Sequence, residues 1–340
     1  MSQQKLTVVY ALTSESEKNL YIEQCALSQA SLKIYNPDCT ILTVVCHDTY
    51  RLIFDSKKNE YTKAGNLLTR NSLIKVIECP AEFTAKERSR FLKLSIRNKI
   101  DGDFLFLDTD TIICDDLSPI MELDCHVAMC QDLNLNRIEN KIILHDIKEK
   151  YSLAKLDFNW NSYFNSGVYF AKDTKEARYF FDFAFKTWCG YRTKSFCFDQ
   201  IAINYANQHF SGIIKELSGE WNCQVQYFFI RYLHNAKIIH YFNEQEQPFY
   251  GLADKAILER INQLGDIPQD TVDLIKNAKS LFPSDYVLTK YKDLQYNPQM
   301  FKMPCFKFLL KLKEHKILLK IVNKMLIIFS RFSKNPLNYD

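Results

Sequence analysis

The sequence predicts an α/β protein with a mostly parallel, Rossmann-like sheet flanked by helices and a C-terminal helical extension. Three observations point there. Strand-like and helix-like segments alternate from the start, as a parallel sheet with right-handed crossovers requires. Phe104-Leu105-Phe106-Leu107 is a continuous apolar run, the mark of a strand covered on both faces. The 340 residues are 47% hydrophobic and 14% aromatic, enough for a large packed core.

The elements follow in order. Leu6 to Leu12 reads as a first buried strand ending in the polar loop Thr13-Ser14-Glu15-Ser16. From Leu20 to Tyr35 the apolar residues Leu20, Ala26, Leu27, Ala30 and Ile34 recur at helical period. Asn36-Pro37-Asp38 is a turn, and Thr40 to Cys46 is a β-branched second strand. Leu73 to Glu78 supplies a third strand. A helix from Ala85 to Ile100 carries Arg88, Arg90, Lys93 and Arg97, and Gly102 breaks it before Phe104. Val127 to Cys130 is a short strand, followed by a polar, helix-prone excursion from Leu133 to Ala154. Tyr163 to Phe170 reads as a turn feeding an apolar strand; helices follow over Ala177 to Trp188 and from Phe198. Trp221-Asn222 sits in a loop, Lys237 to Phe242 is a last strand, and residues 252–300 read as helices and loops.

The most telling segment is Asp108-Thr109-Asp110, directly after the Phe104–Leu107 run. Residues i and i+2 of an extended strand point the same way, so both carboxylates can converge on one hard cation such as Mg²⁺ or Mn²⁺. Taken alone, the pair is equally well explained as caps of the loop after a buried strand. In an open α/β sheet, ligands gather at the carboxyl ends of the strands, where the Thr13 loop and this pair both fall.

Asp108-Thr109-Asp110, Tyr163-Phe164-Asn165-Ser166-Gly167-Val168, Asp199-Gln200 with Asn204, Trp221-Asn222 and Ile238-Ile239-His240 recur in one order over residues 5–245. In this the chain resembles the GT-A-fold nucleotide-sugar transferases, glycosyltransferase family 8 above all. The resemblance implies a metal held by Asp108, Asp110 and His240. Ala11, Leu12 and Thr13 would lie at the base and ribose, although the family's usual Asp or Asn is absent from that loop. It implies Arg90 as a donor-binding cation, with Arg97 as the alternative, and Thr109 beside the donor. Asp132 would bind donor sugar hydroxyls, and Asn165 and Gly167 would wall the sugar site. Asp199 and Gln200 are the implied catalytic pair, Asp199 on sugar hydroxyls and the Gln200 amide oxygen facing the developing positive charge. It further implies a hexose passed from UDP-glucose or UDP-galactose to a glycan or glycolipid with retention, in surface polysaccharide or lipopolysaccharide synthesis, with Mn²⁺ or Mg²⁺ as cofactor. The implied mechanism is front-face attack, a double displacement through Asp199 being the other course. One departure stands out. Family members carry a Lys-Pro-Trp run after the metal histidine, the lysine binding donor phosphate, whereas here His240 precedes Tyr241-Phe242-Asn243-Glu244-Gln245-Glu246. Arg90, Arg231 and Lys237 are the candidate replacements.

Residues 1–250 are thus expected to form the transferase domain, 251–303 a helical extension and 304–340 a basic amphipathic tail. From Lys302 to Asp340 nine Lys or Arg stand against Glu314 and Asp340, so the net charge of +4 arises there and the body is mildly acidic. Were residues 306–334 helical, Lys313, Lys316, Lys320, Lys324, Arg331 and Lys334 would fall within a stripe of roughly 80° beside a wide apolar face. Such a helix suits an anionic membrane surface, while its lysines interrupt every apolar run before the ~20 residues of a span. Packing on the body or a dimer contact would also bury that face.

The eleven cysteines show no CxxC spacing, and the N-terminus lacks the apolar core of a signal peptide. Both point to a cytoplasmic protein, peripheral on the inner face of the membrane. Nucleic acid is not an expected partner, because the basic residues sit in an apolar tail. A nucleotidyltransferase would need a Gly-rich basic loop after the first strand, which Ala11-Leu12-Thr13-Ser14 does not provide. The rival from another class is a non-catalytic sugar- or nucleotide-binding module of the same fold.

Overall fold

A computed structural model describes residues 5–135, 152–156, 162–193, 195–225, 230–241, 252 and 255–281, together with positions 318, 321, 322, 324 and 325. Met1–Leu281 forms one compact unit and Phe282–Asp340 a second.

The first unit is organised by a seven-stranded sheet. Its strands run, edge to edge, Ile214–Leu217, Val127–Gln131, Phe164–Ala171, Phe104–Leu107, Thr7–Leu12, Thr40–Val45 and Leu73–Val76. All neighbours are parallel except Phe164–Ala171, which is antiparallel to both of its partners. Helices Tyr21–Tyr35, Ala85–Ser95, Lys175–Tyr191 and Asp199–His209 pack against it. The Phe104–Leu107 and Phe164–Ala171 strands are buried at every position, which accounts for the unbroken apolar character of the first. Between them and the helices lies an aromatic core in which Phe106 and Tyr169 stack at 4.7 Å and Trp188 is fully buried.

A second, three-stranded sheet joins Cys223–Gln224, Ile238–His240 and Thr111–Ile113. Its antiparallel register sets His240 opposite Thr111, and the Tyr241 N–H donates to the Asp110 carbonyl at 3.1 Å. This pairing brings two segments 130 residues apart in sequence to one point.

The Tyr21–Tyr35 helix differs from a simple amphipathic helix, since Gln24, Ser28, Gln29 and Ser31 are buried along with its apolar residues. They anchor the metal-proposed loop. Ser28 Oγ lies 3.1 Å from Tyr10 Oη and 2.9 Å from Thr111 Oγ1, and the Thr111 hydroxyl donates to the Asp108 carbonyl at 2.8 Å. Ser31 Oγ accepts the Ile113 N–H at 2.9 Å. Buried hydroxyls are satisfied by one another, as low-dielectric surroundings require.

Asn165 and Gly167 were expected in a turn; they lie inside the Phe164–Ala171 strand instead. Most of the expected 133–154 excursion, from 136 to 151, falls outside the described residues, as does Phe242 at the end of the last expected strand. Within the 252–300 stretch, helices form over Lys255–Leu264 and Gln269–Lys276.

Candidate active site

At the carboxyl ends of the parallel strands a cleft of about 560 Å³ opens. Ala11, Leu12, Thr13, Arg90, Asp108, Thr109, Asp110, Asn165, Gly167, Asp199, Gln200 and His240 all line it. Of the residues implied by the resemblance, Asp132 stands back from the wall. Its carboxylate accepts the Asn165 Nδ2–H at 2.8 Å from behind.

Asp108, Asp110 and His240 offer ligand atoms that all lie within 4.8 Å of one another. A chain of hydrogen bonds determines which way the imidazole faces. The Gly167 N–H donates to Asn165 Oδ1 at 2.9 Å, so that atom is an acceptor. It therefore accepts from Asn222 Nδ2 at 3.0 Å, and Asn222 turns its own Oδ1 to His240 Nδ1 at 3.1 Å. Nδ1 carries the proton, and Nε2 is the ring atom that faces Asp110 Oδ1, 3.2 Å away. An imidazole nitrogen set this close to two carboxylates suits a divalent ion of borderline hardness. The donor set fits such an ion.

Gly167 serves this arrangement through its missing side chain. A Cβ there would lie 2.3 Å from His240 Cε1 and 2.9 Å from Asp108 Oδ2. The glycine makes room for the imidazole and carboxylate, a close approach between protein groups rather than between backbone and ligand.

The opposite wall comes from two helices. Thr84 and Glu87 form a capping box that starts the Ala85–Ser95 helix, and Arg192 pairs with Glu87. One turn on, Arg90 Nε lies 3.0 Å from Asp199 Oδ1. Lys93, with a side chain 4% exposed, donates to Asp108 Oδ2 at 2.9 Å and lies 2.8 Å from Oδ1 and 3.6 Å from Asp199 Oδ2. Its own carbonyl accepts the Tyr169 hydroxyl at 3.1 Å, locking the helix onto the sheet. Asp199 opens the next helix, its Oδ2 accepting from the Ser166 hydroxyl at 2.8 Å. The Gln200 amide oxygen lies 3.4 Å from both Asn165 Nδ2 and the Ser166 N–H.

The carboxylates respond differently to these surroundings. Burial pushes Asp108 above the usual carboxylate range although Lys93 opposes it. Burial also acts on Asp199, but Lys93, Arg90 and the Ser166 hydroxyl outweigh it and hold that group below the range. Burial raises Asp132 against the hydrogen bonds of Asn165 and Gln200. For Arg90 the neighbouring Asp199 and Asp108 outweigh burial and raise its pKa.

Three of the candidate cations do not line the cleft. Arg97 is fully buried, donating to the Ala171 carbonyl at 3.2 Å and sitting over the Phe104 ring. Lys237 pairs with Asp115 at 3.1 Å, and Arg231 is exposed outside the cleft wall. Sequence reasoning missed Lys86 and Lys93, which do line it, and Asn222 behind His240. The available signal for Lys93 was its i+3 spacing from Arg90, which sets both on one helix face. Tyr21 and Gln24 also line the cleft, Gln24 accepting from the Thr109 hydroxyl at 3.4 Å.

A profile of glycosyl transferase family 8 matches residues 18–248. A search of curated proteins returned no match. Among solved structures the chain is similar to the bifunctional glycosyltransferase WbbM, at 17% identity over 80% of this chain and 51% of that one, with a TM-score of 0.51. It is similar to the galactosyltransferase LgtC in complex with donor and acceptor sugar analogues, at 18% identity over 79% and 99% of the two chains and a TM-score of 0.47. A third is GlyE of Streptococcus pneumoniae, at 17% identity over 81% and 64% and a TM-score of 0.43. The chain spans about half the length of WbbM. The mostly parallel sheet with its flanking helices and the likeness to WbbM agree on a GT-A fold. With a profile match over most of its length and the metal-capable triad in place, the chain belongs to glycosyltransferase family 8 and is a glycosyltransferase.

Proposed function

We propose that this enzyme transfers glucose or galactose from its UDP derivative to a hydroxyl of a glycan or glycolipid, with retention, in the assembly of a surface polysaccharide or lipopolysaccharide. One observation carries the reading. The ligand atoms of Asp108, Asp110 and His240 converge within 4.8 Å on a cleft that Arg90, Asp199 and Gln200 also line. The triad would hold Mn²⁺ (or Mg²⁺), which when bound neutralises the departing diphosphate.

The remaining roles belong to the protein's own groups. Ala11, Leu12 and Thr13 border the nucleoside end. Asn165 and, through it, Asp132 present hydrogen-bonding groups to sugar hydroxyls. Both Asp199 oxygens are engaged by Arg90, Ser166 and Lys93, which favours a positioning anion over a nucleophile. The acceptor therefore attacks from the front face, its proton passing to the departing phosphate oxygen while the Gln200 amide oxygen opposes the growing positive charge. Lys86, Arg90 and Lys93 line the cleft and can stand in for the absent phosphate-binding lysine.

A thermal-shift screen of UDP- and GDP-sugars with Mn²⁺ tests the donor, because a ligand of the native state raises its melting temperature. Stabilisation by a UDP-hexose with slow metal-dependent hydrolysis is expected; stabilisation without hydrolysis under any condition would favour a binding module. Asp110→Asn should keep the fold and lower kcat about 10³-fold, the scale of charge neutralisation at a leaving group. Near-normal turnover in that variant would refute the metal role.

The tail is proposed to rest on the anionic inner face of the cytoplasmic membrane. In support, Leu318, Ile321 and Met325 are 44%, 50% and 51% exposed beside exposed Lys324. Among the described residues no helix is long and apolar enough to cross a membrane. Deleting residues 304–340 should abolish binding to anionic vesicles; unchanged binding would remove the anchor.

A further inference from the structure

We infer that Lys93 sets how strongly the divalent ion and the diphosphate depend on each other for binding in the cleft. This rests on the nucleotide-sugar reading above and concerns how that site is loaded.

The argument begins with formal charge. Among the described residues three carboxylates line the cleft, Asp108, Asp110 and Asp199, against three cations, Lys86, Arg90 and Lys93. Counted formally, these six groups sum to no net charge. A dication entering alone leaves an unbalanced positive site, and a diphosphate entering alone leaves a strongly negative one. Together they come close to balance. In a partly desolvated cleft such imbalances are felt far more strongly than in water.

Lys93 gives this balance its rigidity. Its ammonium touches both oxygens of Asp108, itself a candidate metal ligand, at 2.8 and 2.9 Å. It reaches Asp199 at 3.6 Å and lies 5.4 Å from the centre of the Phe106 ring. At 4% exposure, and between the carboxylates of Asp108 and Asp199, its ammonium is held where an incoming ion would bind. A metal bound by Asp108 must therefore share that carboxylate with a fixed positive charge. The same charge attracts the diphosphate, so a group that opposes the ion alone favours the pair. Linkage makes the coupling reciprocal: whatever factor UDP adds to ion affinity, the ion adds to UDP affinity.

Isothermal titration of the full chain with Mn²⁺ alone, UDP alone, and each in saturating amounts of the other tests this without reference to turnover. In the wild type, each ligand should bind about tenfold or more tightly in the other's presence, a typical coupling. Lys93→Met should tighten Mn²⁺ alone about tenfold and shrink the coupling factor, as loss of an adjacent positive charge implies. Lys93→Arg, which keeps the charge, should retain the coupling. Lys93→Gln, which keeps a hydrogen-bond donor without the charge, should act as Lys93→Met does, so the test survives if Lys93→Met fails to fold, whereas Lys86→Met, which does not touch Asp108, should leave the coupling factor within about twofold. Equal Mn²⁺ affinity with and without UDP in the wild type, or unchanged Mn²⁺ affinity in a folded Lys93→Met, would overturn the inference while leaving the nucleotide-sugar reading standing. No binding of UDP with Mn²⁺ by any form would overturn both.

Discussion

Asp199 and Asp132 are nearly matched in burial, at 4% and 8% exposure, and both are held by the same short stretch of strand. Ser166 donates to one at 2.8 Å and Asn165 to the other at 2.8 Å. Yet their pKa values move in opposite directions, Asp199 down and Asp132 up. The difference lies in what surrounds them. Asp199 faces Arg90 and Lys93, whereas Asp132 faces amides, whose dipoles repay less of the cost of burying charge. Burial alone does not define a functional carboxylate; its company decides whether it is a locked anion or a group still short of partners.

The sharpest way to break this comparison is to neutralise each carboxylate in turn. Asp199→Asn leaves Arg90 and Lys93 with a partner removed, and breaking a buried ion pair costs about 3 kcal/mol. Transfer should fall about 10³-fold, since Asp199 borders the reacting sugar in the proposed geometry. Asp132→Asn, farther back and free of cations, should lower kcat/KM only about tenfold, the scale of one hydrogen bond to substrate. Steady-state kinetics on both variants checks the ranking, and equal losses would erase the distinction.

Gln200→Ala should come next, lowering kcat about 10²-fold with KM changed less than about threefold, as expected for a contact made mainly in the transition state. Parallel losses in both constants would assign Gln200 to donor binding instead.

The two walls of the cleft also differ in how plainly the sequence announces them. Asp108 and Asp110 follow an apolar strand with period-two spacing, so their convergence is a local property. The mostly parallel sheet was legible for the same reason, because runs such as Phe104–Leu107 and Thr40–Val45 carry their own signature. Lys93 was not legible as a site residue. Its role depends on how the Ala85–Ser95 helix is rotated against the sheet, and a lysine on a helix normally faces water. Asn222 was equally hidden, since the register that sets His240 against Thr111 is decided by pairing between distant segments. The strand position of Asn165 and Gly167 escaped too. Asn, Ser and Gly read as turn residues, and only their antiparallel place between two buried strands overrides that preference.

Asn222 offers a smaller effect that sharpens the contrast between a ligand and its support. Asn222→Leu removes the acceptor for His240 Nδ1 and the donor to Asn165 Oδ1. Mn²⁺ affinity measured with UDP present should fall about 10–100-fold, the usual consequence of losing the partner that orients a ligating histidine. Unchanged affinity would mean that the strand pairing alone orients the imidazole.

The smallest effect reads the two carboxylates through stability, in chelator so that metal plays no part. Asp199 has a lowered pKa in the folded state, so its charge stabilises the fold above the ordinary carboxylate pKa of about 3.9 and that contribution is lost as pH falls through the lower folded value. Asp132 is raised, so its contribution is present when protonated and is lost as pH rises through the higher folded value. At pH 7, then, Asp199→Asn should melt below the wild type and Asp132→Asn at or above it. On acidification toward pH 4 the Asp132→Asn difference should close first, because that carboxyl takes up its proton at the higher pH. The Asp199→Asn gap should persist until lower pH. Melting curves of the three proteins across this range give two difference profiles of opposite sign. Profiles of the same sign would mean that Arg90 and Lys93 do not distinguish the two sites, and the contrast between a locked anion and an under-partnered one would fail at its root.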